Sequence, residues 1–149
     1  MSRPTIELAQ HASEADRTAL SHGIIAFNRT VVPDLERIDQ AVDFHIFARD
    51  ETGQVRGGIR ASCYWNTLHI ELLWLDETLR GSGTGTALMR RAEDHAISVG
   101  CALAHVETTS WQALRFYDKL GYALMGTLED RPVGHATHYL TKRLSPGSS

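Results

Sequence analysis

The sequence predicts one α+β domain built on a mixed, mostly antiparallel sheet. Three observations carry this. The hydrophobic period switches from helical spacing to strict alternation near Val42. Turn chemistry at residues 50–54 and at Asn66-Thr67 then folds three alternating runs into a meander. Finally, a strand, a helix and another strand follow one another between Leu68 and Glu107, which requires a crossover and makes the two strands parallel. The whole pattern gives about seven strands, with about four helices packed on both faces. Residues 1–149 form the single domain, and 145–149 read as a frayed tail.

The elements follow in order. Residues 5–9 alternate as a short first strand. Ser13 with Asp16 three positions on forms a capping pair. Leu20, Ile24 and Phe27 recur at helical spacing behind it, so a helix spans about 13–28. Pro33 after Val32 is placed to start a second short helix through Leu35 and Ile38. Phe44, Ile46 and Ala48 alternate with His45, Phe47 and Arg49, and a return strand runs from Val55 to Trp65. The central strand covers residues 68–75. After Gly85, Leu88, Ala92, Ala96 and Val99 mark one helix face, which Gly100 ends. Residues 102–107 form the parallel strand. A helix spans 111–120 with Thr108, Thr109 and Ser110 as cap candidates, and Gly121 closes it. Strands at 122–128 and 136–144 complete the sheet.

Bulk properties exclude several classes. No apolar run approaches the ~18 residues of a membrane span, and the N-terminal stretch lacks a signal-peptide core, which points to the cytoplasm. A net charge of −3 argues against nucleic acid as the main partner, because phosphate contacts need a basic surface. Cys63 and Cys101 are too few for a disulfide framework and form no CxxC pair, so both read as small buried thiols.

The informative stretch is Arg80-Gly81-Ser82-Gly83-Thr84-Gly85, placed between a strand and a helix. A nucleotide-binding P-loop would need Gly-Lys-Ser/Thr, which is absent, and a dinucleotide fingerprint would need GxGxxG within a βαβ unit. What fits is Arg/Gln-x-x-Gly-x-Gly/Ala. About thirty residues later, across a strand, comes Ala113-Leu114-Arg115-Phe116-Tyr117-Asp118-Lys119-Leu120-Gly121-Tyr122. On these two motifs, in this order, the sequence resembles the GCN5-related N-acetyltransferase (GNAT) family from about residue 5 to 144.

The resemblance implies an acetyl-CoA-dependent N-acetyltransferase acting on a primary amine of a small molecule or peptide. Acetyl-CoA is a co-substrate, and no metal is needed. The family's loop holds the coenzyme pyrophosphate through backbone N–H groups, which assigns Arg80, Gly81, Ser82, Gly83, Thr84 and Gly85 to the coenzyme. The chemistry agrees: glycines admit the phosphates to the backbone, free N–H groups at a helix start favour anions, and Arg80 adds a charged contact. The resemblance also implies that Tyr117 bonds the coenzyme sulfur and acts as general acid. It also implies that Leu73, Trp74 and Leu75 lie where the strands part, so that one of their amides polarises the thioester carbonyl.

The amine must lose a proton. An amine with a pKa of about 10.4 is neutral about once in 2,500 at pH 7, a deficit near 4.6 kcal/mol. His69 and Glu71 share a strand face by alternation, and the family places catalytic carboxylates or histidines there, Glu71 first and His69 next. Thr108, Thr109 and Ser110 fall at the cleft end of the parallel strand, where they bind substrate, order a water or cap a helix. Glu129 and Asp130 in the last hairpin attract a cationic amine or form a solvated turn. His105, His135 and His138 lack a recognised metal-ligand spacing. The family frequently dimerises, which allows a homodimer through the C-terminal strands. A non-catalytic acyl-CoA sensor or interaction module on the same fold is the alternative.

Overall fold

The computed structural model describes residues 2–37 and 40–145. Residues 1–40 and 41–149 make two compact units. The first holds helix α1, Glu14–Val31, capped by Ser13, whose Oγ accepts from the Asp16 backbone N–H at 3.1 Å. The capping pair read from the sequence is therefore formed, and the helix runs three residues further than its apolar pattern.

Two N-terminal expectations fail. Residues 5–9 adopt no strand, and Pro33-Asp34 make a turn with no helix through Leu35. Ile38, the far end of that expected helix, lies outside the described residues. Alternation makes a strand only where a neighbouring edge takes its hydrogen bonds. Pro33 fits a first helical turn, but fewer than two turns follow it, too short to repay nucleation.

The second unit is an open sheet of six strands rather than seven. β1 (Val42–Arg49), β2 (Val55–Tyr64) and β3 (Thr67–Leu75) form the meander. α2 (Thr84–Ser98) crosses over to β4 (Leu103–Thr109), and α3 (Leu114–Lys119) leads to the hairpin of β5 (Ala123–Glu129) and β6 (Ala136–Arg143). The spatial order is β1-β2-β3-β4-β6-β5, antiparallel throughout except for β3 beside β4. With α1, the described residues contain three α-helices, one fewer than expected, and a 3₁₀ turn at Glu77–Leu79.

The first turn is held by one side chain. Asp50 accepts from the Thr52 N–H and hydroxyl, from the Gln54 N–H and from Arg56 Nε at 2.7–3.0 Å. These bonds, that of the Thr52 hydroxyl foremost and Arg56 next, hold its carboxyl well below the usual carboxylate range. The core lies between strand and helix faces. Ile59, Ala61, Leu68, Ile70, Ala104, Val106 and Leu140 pack with Leu88, Met89, Ala92 and Ala96 of α2. β4 shows the logic cleanly: Ala104, Val106 and Thr108 are buried, while His105, Glu107 and Thr109 point to the opposite face. Cys101 is buried and Cys63 half-buried.

A split sheet and two clefts as the candidate active site

The site begins with a mismatch of strand lengths. β3 pairs with β4 only from Thr67 opposite Leu103 to Ile70 opposite Val106. Beyond that point β3 continues to Leu75, still paired with β2 through Gly57, Gly58 and Ile59. On its other side no strand among the described residues pairs with it, so its amides there open into a gap. The register against β2 also shifts between Arg60 and Ala61, and Glu71 is the extra residue on β3. This bulge ends the simple alternation that placed His69 and Glu71 on one face. The two side chains nevertheless line one cleft.

The gap opens a cleft of about 630 Å³. Leu73, Trp74 and Leu75 form one wall, Val106, Glu107 and Thr108 the other, and Arg80, Gly81, Phe116 and Tyr117 close the end. Of the six glycine-loop residues named from the sequence, Arg80 and Gly81 line this cleft. The remaining four shape the turn. Gly81 and Gly83 take φ of 76° and 86°, the left-handed region, and Gly83 is the N-cap of α2. Ser82 Oγ bonds the Leu79 carbonyl and lies 2.8 Å from Thr84 Oγ1. Gly85 has another role: a Cβ there would come within 3.3 Å of Phe116 and Leu75 side-chain atoms, so it lets α2 pack closely.

Tyr117 is 5% exposed, and its ring packs edge-to-face with Phe116 and with Tyr122. Among the described residues its hydroxyl has no hydrogen-bond partner. Burial pushes its pKa up to about 12. Tyr122 is buried, while Phe116 and Leu120 pack against the core.

A second cleft of about 670 Å³ lies across the split. Arg60, His69, Arg131, Pro132 and Thr137 line it alone; Glu71, Glu107, Thr108 and Gln112 belong to both clefts. Its polar groups are ordered. Arg60 Nε donates to Glu71 Oε2 at 3.1 Å and Ser62 Oγ to Oε1 at 3.3 Å. His69 Nε2 sits 2.5 Å from Glu107 Oε1. His69 also stacks on His105, its register partner on β4, at 4.2 Å between ring centres. Burial first, then the neighbouring charge of His69, holds His105 below the ordinary imidazole range against the pull of Glu107.

The three β4-end residues separate. Ser110 lines neither cleft; its Oγ donates to the Ala136 carbonyl and accepts from the Ala136 N–H, tying β4 to β6. Thr108 Oγ1 donates to Gln112 Oε1 and accepts from the Ala113 N–H, both at 3.3 Å. Thr109 lines the second cleft, and its Oγ1 is buried with no partner among the described residues. These bonds occupy residues 110–113 as a turn, so α3 starts at Leu114 rather than Trp111. Asp130 serves the hairpin turn by accepting from the Gly134 N–H, and Arg131 supplies the hairpin's charge to the cleft.

Glu107, Arg60, Arg131 and Gln112 were missed by sequence reasoning. Only Glu107 carried a usable signal, because it follows His105 at strand period and faces the same way.

A strand pair that splits beyond a glycine-rich turn, with a tyrosine at its far wall, is the architecture of an acyl-CoA-dependent transferase. The sequence matches the Acetyltransferase (GNAT) family over residues 10–122, and the chain belongs to that family. It is 36% identical over 125 residues to blasticidin-S acetyltransferase of Streptomyces morookaense, covering 83% of this chain and 90% of that protein. An acetyltransferase of Agrobacterium fabrum is 28% identical, covering 88% and 92%. The crystal structure of an acetyltransferase from Bacillus cereus superposes with a TM-score of 0.77 at 29% identity, covering 93% and 98%. The chain is thus an N-acetyltransferase, and acetyl-CoA is the donor its family uses. No helix among the described residues is long and apolar enough to cross a membrane.

Proposed function

We propose that this chain transfers an acetyl group directly from acetyl-CoA to the primary amine of a small molecule, in the cytoplasm. The observation that carries this is the pair of clefts meeting at Glu71, Glu107, Thr108 and Gln112. The thioester enters from the Arg80–Gly81 side, with its carbonyl against an amide of Leu73–Leu75 that faces the gap. Tyr117 aims its unpartnered hydroxyl at the departing sulfur. The amine enters the second cleft, drawn as an ammonium by Glu71 and Glu107.

The base is best supplied by His69. Both oxygens of Glu71 already accept hydrogen bonds, from Arg60 and Ser62, so its lone pairs are engaged by neighbouring side chains. His69 instead has a carboxylate on Nε2, which orients the ring and leaves Nδ1 as the acceptor lone pair. Glu71 then serves mainly to attract and place the amine, a change of emphasis from its reading as first-choice base. Thr109 lines the acceptor cleft, while Thr108 acts on Gln112. The relative named for blasticidin-S supports a small-molecule acceptor over a peptide.

Isothermal titration with acetyl-CoA, followed by a panel of primary amines scored for release of free thiol, tests the reading. Saturable coenzyme binding and amine-dependent thiol release are expected. Binding without release from any amine is the signature of a sensor, and absence of binding at millimolar coenzyme would overturn both.

A further inference from the structure

Among the described residues, one group of three histidine and acidic side chains brings its ligand atoms within 4.8 Å of one another: His69, His105 and Glu107. Its origin is the sheet itself. His69 on β3 and His105 on β4 are direct register partners in the parallel pair. Glu107 follows His105 at strand period, on the same face, and its Oε1 already lies 2.5 Å from His69 Nε2. Three donors therefore stand over one patch of rigid sheet, next to the point where the strands separate.

We propose that His69, His105 and Glu107 form a binding site for a divalent transition-metal ion of the zinc type, and that the bound ion inhibits the enzyme. Two imidazoles and one carboxylate suit a borderline ion, and three protein ligands leave a fourth position open. Bonds of about 2.0–2.1 Å put tetrahedral ligands about 3.3 Å apart. The cluster must contract modestly from its present spacing, and His69 and Glu107 must part slightly. Rotation of the stacked imidazoles about their own side-chain bonds supplies this without moving the strands. The ion takes the place of the proton shared by His69 and Glu107. Its open position faces the second cleft, because both of those residues line it. The inhibitory consequence rests on the assignment of that cleft to the acceptor; the binding site does not.

The test is a titration of the full chain, stripped with chelator, with zinc chloride, followed by calorimetry or by competition with a chromogenic chelator. One ion per chain with micromolar affinity is expected. His105→Gln and Glu107→Gln should each weaken binding at least about tenfold, while His135→Gln leaves it unchanged; thermal unfolding confirms that each variant is folded. Failure to bind at millimolar zinc, or binding that both substitutions leave intact, would overturn the site. In the transfer assay, zinc should inhibit competitively against the amine and be reversed by chelator. Zinc bound at the cluster with undiminished turnover would instead overturn the acceptor assignment and leave the metal site standing.

Discussion

At the residue scale, Tyr117 has the most constrained chemistry. A free phenol protonating a thiolate of pKa about 8.5 is uphill by about 2 kcal/mol. With burial pushing Tyr117 up to about 12, the deficit grows to about 5 kcal/mol. In the proposed reaction the hydroxyl works chiefly as a hydrogen-bond donor, completing proton transfer only as the amine sheds its own proton. Tyr117→Phe should lower kcat by about 100-fold, with coenzyme affinity measured by titration nearly unchanged. Equal turnover in the variant would remove Tyr117 from the reaction. Glu107→Gln takes away the carboxylate that orients His69, and a kcat loss of similar size is expected. Glu71→Gln should act mainly on KM, because its carboxylate already stands paired with Arg60. Steady-state kinetics of the two variants separates these roles. The sequence singled out Tyr117, His69 and Glu71 as candidates through motif and alternation, and all three line the clefts. It could not show that Arg60 and Ser62 occupy Glu71, because both lie on another strand and meet it only through the register.

At the element scale, the glycine turn and the bulge do different work. Gly83 holds φ at 86° as the cap of α2, a conformation that costs an L-residue about 1–2 kcal/mol. Gly83→Ala should therefore lower stability by that amount and weaken coenzyme binding up to about tenfold. Urea unfolding and calorimetry measure the two effects separately. The meander, the crossover and the final hairpin were legible because each is written in local periodicity and turn residues. The absent strand at residues 5–9 and the absent helix after Pro33 were misread, because their local signals needed a partner edge or a longer run. The bulge at Glu71 has no composition of its own; nothing in Ile70-Glu71-Leu72 distinguishes it from a regular strand. The short α3 was hidden for a different reason: Gln112 is spent on Thr108 and Thr109 in place of a first helical turn.

At the scale of the molecule, a buried polar trio joins α2 to the end of the sheet. Glu93 is 3% exposed; Tyr122 Oη donates to its Oε2 at 2.6 Å and Lys142 Nζ to its Oε1 at 2.9 Å. Tyr122→Phe leaves one carboxylate oxygen without its donor and should cost about 1–3 kcal/mol in urea unfolding. Alkaline pH probes the neighbouring ring. Tyr117 ionises near pH 10 when unfolded and about 12 when folded. Its contribution is complete below pH 10, and from there to pH 12 the unfolded state releases the proton first. Stability should fall by about 3 kcal/mol over that window from this residue. Burial and the adjacent Glu93 also push Tyr122 up, so the comparison is with Tyr117→Phe, whose curve should be shallower by that amount. The separation of β3 from β4 has a kinetic signature as well. In the proposed reaction donor and acceptor occupy two clefts that share Glu71, Glu107, Thr108 and Gln112, so neither has to leave before the other arrives. Initial rates measured against both substrates should give intersecting double-reciprocal lines, and parallel lines would mean that the acetyl group waits on the protein between two separate visits.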